Sequence, residues 1–137
     1  MLVREGKAMP IATMPVEETL VDLRQGKMVI LVDEESEKGE ADLCVAAEHT
    51  TPQTVNFMAT HGRGLICLVL TEERIRELGI PLLGNGRPSA QKRVFGASIE
   101  ARRGVTTGIS ASDRALTITV AVKDGADQPK VPGDGGL

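Results

Sequence analysis

The residues best equipped for chemistry are six carboxylates set into ten positions, Asp33, Glu34, Glu35, Glu37, Glu40 and Asp42, opposed only by Lys38. Carboxylates gathered in one loop can hold Mg²⁺ through oxygen ligands, and crowding of like charge raises some of their pKa values toward the range useful for general acid–base work. The run lacks the ligand spacing of a metal loop, so on the residues alone a solvated acidic loop between two strands accounts for it better. A second cluster, Gly104-Val-Thr-Thr-Gly108 ahead of Ser110, combines hydroxyls, glycines and free N–H groups in a way that can cradle a phosphate. A turn followed by a capping box at Ser110 and Asp113 explains the same residues without a ligand, and is the stronger reading from spacing. Cys67 would need a cation or a helix end beside it to act as a nucleophile, and its neighbours in Gly-Leu-Ile-Cys-Leu-Val-Leu are aliphatic. Both Cys67 and Cys44 are therefore expected to be buried thiols. His49 and His61 have no cysteine or third histidine near them in sequence, which favours capping or surface roles over a zinc site.

The elements that must position these groups are legible in outline. Pro15 and Gly26 bracket a helix whose acidic start, Glu17-Glu18, suits the positive helix end and whose stripe is Val16, Leu20 and Leu23. Two strands, 28–32 and 42–47, flank the acidic loop. Thr51-Pro52 caps and opens a helix that should end near Gly62. Residues 64–70 form an unbroken apolar run, as expected of a strand buried on both faces. Thr71 opens another helix, with Glu72 and Arg76 at i,i+4 and Gly79 and Pro81 as stops. Residues 81–93 read as an exposed loop and 94–99 as a further strand. From Ala111 the capping residues ask for a helix while Leu-Thr-Ile-Thr-Val-Ala-Val alternates like a strand, and the helix is preferred. The organisation is an N-terminal extension over 1–14, one domain over 15–123 and a loose tail over 124–137. Helices alternating with strands leave α/β and α+β both open.

Composition narrows the function classes. The chain has 137 residues, of which 41% are hydrophobic, enough for one globular domain. A net charge of −3, with no Trp or Tyr to stack bases, argues against a nucleic-acid partner. No apolar run approaches transmembrane length and the first residues lack a signal-peptide core, so no membrane is expected and the cytoplasm is the expected address.

Taken in order, the motifs resemble the 3,4-dihydroxy-2-butanone 4-phosphate synthase family. The blocks are Asp33-Glu-Glu-Ser-Glu-Lys-Gly-Glu40-Ala-Asp42-Leu43, Ala46-Ala-Glu48, His61-Gly-Arg-Gly-Leu-Ile-Cys67-Leu, Thr71-Glu-Glu-Arg74 and Thr106-Thr-Gly-Ile-Ser-Ala-Ser-Asp113-Arg114-Ala. The resemblance runs from about Val16 to Gly133. It implies an α+β fold with layered helices and a mixed sheet, and a homodimer whose sites draw on both subunits. It also implies conversion of ribulose 5-phosphate to 3,4-dihydroxy-2-butanone 4-phosphate and formate with Mg²⁺, or Mn²⁺, as cofactor. By that resemblance Glu40 and Asp42 are acid–base and substrate-hydroxyl groups, Cys67 is a wall of the substrate pocket, Thr107 is a substrate contact, and Asp33 and Glu35 support the loop.

The departures fall at the chemistry. Glu37 and Lys38 stand where the family has an Arg–Glu pair whose glutamate ligates magnesium, and a protonated ammonium repels a metal instead of binding it. Ala41 replaces a loop glycine, which matters if the turn needs positive φ. Phe95-Gly-Ala-Ser98-Ile99 departs from the family's Phe-Thr-Val-Ser-Ile. After Val131-Pro-Gly133 comes Asp134, without the family's downstream histidine ligand and phosphate contacts. The expectation is a divergent member that is inactive or partner-dependent alone; the alternatives are a non-catalytic interaction module, dimerising or pairing with a full-length homologue, and a non-functional fragment.

Overall fold

The computed structural model describes residues 12–32, 41–86 and 94–131. Helix α1 spans Val16–Arg24, strands β1 and β2 span Val29–Val32 and Ala41–Cys44, and a 3₁₀ turn follows at Ala47–His49. Helix α2, Pro52–Phe57, runs on as a π-helical turn over Met58–Gly62; α3 is Glu72–Glu77, a second 3₁₀ turn is Leu83–Gly86, and α4 is Ala111–Val122. This is the expected α+β class. The expected mixed sheet is represented among the described residues by one antiparallel pair, with Leu31 opposite Asp42 and Val29 opposite Cys44. Isolated antiparallel bridges join Leu82 to Gly96 and Glu100 to Lys130. No helix among the described residues is long and apolar enough to cross a membrane.

Local chemistry explains each helix boundary. Thr51 and Thr54 exchange side-chain and backbone hydrogen bonds in a capping box, with Pro52 supplying the first turn. Thr71 caps α3 by accepting from the Arg74 N–H, and Gly79, at φ +65°, ends it in the left-handed conformation. In α4 the competing strand signal loses because its threonines find partners inside the helix. Thr117 and Thr119 donate to the carbonyls four residues back, each at 2.9 Å, while Ala115 and Ala121 are small enough for close packing.

The core is small. Leu78, Ile80 and Ala121 form its centre, and Leu68, Leu70, Ile75, Ile99 and Ala126 pack around them. Arg74 ties α3 to the end of α4, its Nε donating to the Ala121 carbonyl at 2.9 Å and a terminal nitrogen to the Lys123 carbonyl at 2.5 Å.

Three expectations are corrected. Residues 64–70 have no regular secondary structure and join no ladder among the described residues. The even-numbered residues Ile66, Leu68 and Leu70 are half-buried, whereas Leu65 and Val69 are 82% and 89% exposed, because no layer of the described chain covers their side. Residues 94–99 make bridging hydrogen bonds with the 81–83 turn in place of a full strand. The part of the expected tail that is described is packed: Glu100 and Lys130 exchange backbone hydrogen bonds, Pro129 and Val131 are buried, and Ala126 joins the core. The body thus continues through Val131.

Candidate functional site

β2, the π-helical turn and the 64–70 segment enclose an open depression of about 400 Å³, with Asp42, Cys44, Val55, Gly62, Cys67 and Ile118 among its walls. Two of the expected site residues, Asp42 and Cys67, are thereby brought together. Ala41 begins β2 opposite Val32 and does not have positive φ, so extended backbone accommodates the alanine in place of the family's glycine. Glu40 and Lys38, with Asp33, Glu34, Glu35 and Glu37, lie outside the described residues.

The two thiols differ from expectation. Cys67 is exposed, and Cys44 is half-buried. Burial, and then the negative charge of Asp42, push the Cys44 pKa upward, which keeps it a thiol at neutral pH and a poor nucleophile. The histidines do what was expected of them. The His49 ring nitrogen Nε2 lies 3.1 Å from the Arg24 carbonyl at the end of α1, and His61 packs tilted at 45° against Phe57 with ring centroids 4.4 Å apart.

The Gly104–Gly108 loop is occupied from within. The Asp113 carboxylate accepts from the Thr106 N–H and hydroxyl, the Thr107 N–H and the Gly108 N–H at 2.9 to 3.2 Å, and Ser110 accepts from the Asp113 N–H. These N–H groups cannot also cradle a phosphate. Thr107 does not line the depression; its hydroxyl, which accepts weakly from Ile109 N–H at 3.4 Å, is what it has left to offer a ligand. Burial raises the Asp113 pKa, but the hydrogen bonds from Thr106, Gly108 and Ser110 outweigh it and hold the carboxyl below its ordinary value. A depressed carboxylate pKa contributes stability that is complete above the unfolded-state value and is lost as pH falls through the folded one. Acid melts should therefore show a stability loss beginning below about pH 4, and this component should be missing in Asp113→Asn, whose stability is lower at neutral pH because an amide N–H₂ would face N–H donors.

Spacing identified Asp113 as a cap residue but not as the organiser of the loop. Gly108, at φ +74°, brings the loop close enough that a Cβ there would meet the Glu100 carboxylate at 2.9 Å. Among the described residues no three His, Cys, Asp or Glu side chains are grouped to hold a metal, and Lys38 stands at the position where the resemblance puts a ligand. The donors of the described residues thus form no magnesium site among themselves.

The fold is one found in solved α+β synthases. It superposes on RibBX, a two-domain 3,4-dihydroxy-2-butanone 4-phosphate synthase from A. baumannii, with a TM-score of 0.77 and 46% identity over 88% of this chain and 36% of that one. A synthase in complex with two magnesium ions gives 0.81 and 32% over 88% of this chain and 57% of that one. The sequence matches the 3,4-dihydroxy-2-butanone 4-phosphate synthase family over residues 17–134, and the chain belongs to that family. The synthase of Neisseria meningitidis serogroup B is 47% identical over 108 residues, which are 79% of this chain and 30% of that protein. The chain spans under a third of the length of that relative.

Proposed function

We propose that this chain serves riboflavin biosynthesis in the cytoplasm as a synthase-family subunit that holds ribulose 5-phosphate and turns it over only when paired with a second polypeptide. The observation that carries the reading is that Asp42 and Cys67, which match the family's site positions, line one depression, and that Leu65 and Val69 of its 64–70 wall are left exposed. Within it, the Asp42 carboxylate would hold a substrate hydroxyl and, with Glu40, move protons during enediol formation and the rearrangement that expels formate. Cys67 would wall the pocket and Thr107 would contact substrate through its hydroxyl. The metal of the family's chemistry, Mg²⁺ or Mn²⁺, would polarise sugar oxygens; among the described residues no group of donors would hold it. A second copy or a full-length homologue is the proposed partner, with no role for nucleic acid or membrane.

The test is formate release from ribulose 5-phosphate with Mg²⁺, by the chain alone, by Lys38→Glu, and by the chain mixed with a full-length synthase inactivated at the aspartate that matches Asp42. Silence alone and turnover in the mixture are expected. Turnover by the chain alone would make it a minimal synthase. A mixed dimer that forms and stays silent would identify a non-catalytic interaction module.

A further inference from the structure

The run Gly64-Leu-Ile-Cys-Leu-Val-Leu70 has the composition of a strand with neighbours on both sides, yet the described chain gives it none. No backbone hydrogen bond joins residues 64–70 to another described residue. Burial nevertheless alternates along the run: Ile66, Leu68 and Leu70 are half-buried, while Leu65, Cys67 and Val69 are exposed. A period of two is the pattern of a strand that rests one face on a core. Open N–H and C=O groups beside exposed aliphatic side chains are what strand addition uses.

No stretch of this chain outside the described residues has more than three hydrophobic residues in succession, too few to match the run. The run is, however, complementary to itself. Turned antiparallel about Cys67, it sets Leu65 opposite Val69 of a second copy, Val69 opposite Leu65, and Cys67 opposite its own equivalent. The charges at its ends match as well. Arg63 is exposed and makes one long contact, 3.4 Å from its Nε to the Thr60 carbonyl, while Glu73 at the start of α3 joins no ion pair among the described residues. The same register brings Arg63 of each copy to the Glu72-Glu73 end of the other.

We propose that two copies of this chain pair antiparallel, 64–70 against 64–70, across a two-fold axis at Cys67. A two-fold contact uses the same surface on both copies, so every favourable pair occurs twice. The choice of a second copy rests on the partnership proposed above; the strand contact rests on the run itself. A second copy carries the same Lys38, so this pairing leaves unchanged the silence expected of the chain by itself.

Sedimentation of the unchanged chain should show a monomer–dimer equilibrium, and amide exchange at 64–70 should slow by about tenfold or more as the dimer fills. Val69→Lys puts a charge opposite Leu65 in both halves of the pair and should raise the dimer dissociation constant roughly a hundredfold, about tenfold for each half. Because Val69 is exposed, the melting temperature of the dilute monomer should move by less than about 3 °C. Arg63→Glu should weaken pairing and the addition of Glu73→Arg should restore it, a rescue that misfolding would not show. Mild oxidation with diamide, which takes up the two thiol hydrogens, should link the dimer; Cys67→Ser should abolish the link and Cys44→Ser should not. A chain that stays monomeric at about 1 mM, or a dimer whose 64–70 amides exchange as in the monomer, overturns the proposal. A link that survives Cys67→Ser overturns the register. Should Val69→Lys not fold, the concentration dependence of exchange in the unchanged chain decides alone. A monomer that still gives turnover when mixed with a full-length synthase rejects the strand contact and keeps the proposed function; a 64–70 dimer whose mixture stays silent does the reverse.

Discussion

Arg74→Ala is expected to destabilise the protein by about 3 kcal/mol, a large share of the ~5–15 kcal/mol that holds a typical domain together. The side chain is mostly buried, at 18% exposure, and spends three nitrogens on three partners: the Ala121 carbonyl, the Lys123 carbonyl and the Glu77 carboxylate. Two of these are carbonyls at the C-terminal end of α4, which the helix itself leaves unsatisfied and which carry the negative end of its dipole. Truncation removes a charge-assisted bond from each and uncouples α3 from α4. A drop of roughly 10 °C in melting temperature should result. Glu77→Ala separates the contributions, because the Arg74–Glu77 pair is on the surface side, where Glu77 is 54% exposed, and an exposed pair contributes only about 0.5 kcal/mol. Arg74→Lys should behave nearly as badly as alanine, since a single ammonium cannot reach both carbonyls in the geometry of the guanidinium fork. Equal losses in the Glu77 and Arg74 variants would mean that the surface ion pair, and not the helix-end contacts, carries the effect.

Residues acting on their near neighbours were the ones the sequence made readable. Thr51-Pro52, Thr71 and Ser110 announce their helices because a cap acts over three residues, and Glu72 meets Arg76 at 2.9 Å as the i,i+4 spacing requires. Arg74 sits in the same helix, yet its partners are 47 and 49 residues away, beyond any local period. For the same reason Asp113 was visible as a cap residue and invisible as the acceptor for the whole 106–108 loop. The alternating stretch in α4 shows why period alone misleads: threonines bonded to carbonyls four residues back make a β-branched run tolerable in a helix. The motif blocks named Asp42 and Cys67 together, and the two residues line one depression although 25 positions separate them. That the Arg114 Nε is sealed from solvent without a hydrogen-bond partner has no sequence signal at all, since burial of one atom depends on the packing of α4.

The same distinction between apolar content and apolar use leads to the second large expected effect. Leu78 and Val69 are both aliphatic residues near the same core, but Leu78 is 2% exposed and Val69 is 89% exposed. Leu78→Ala should cost about 3 kcal/mol in transfer and cavity terms, and with so few fully buried side chains around it the chain has little reserve to absorb that loss. Val69→Thr should change the stability of the isolated chain by less than about 0.5 kcal/mol, because its side chain is already in water. On pairing with the proposed partner the order should shift. If the 64–70 segment gains a covering layer, Val69→Thr becomes a buried polar substitution and weakens association by about 1 kcal/mol or more, while Leu78→Ala acts on the folding of the subunit and not on the contact. Chemical denaturation of each variant alone and titration of each against the full-length homologue separate the two effects. A Val69 variant that associates as well as the unchanged chain would show that the partner, if bound, sits elsewhere on the fold.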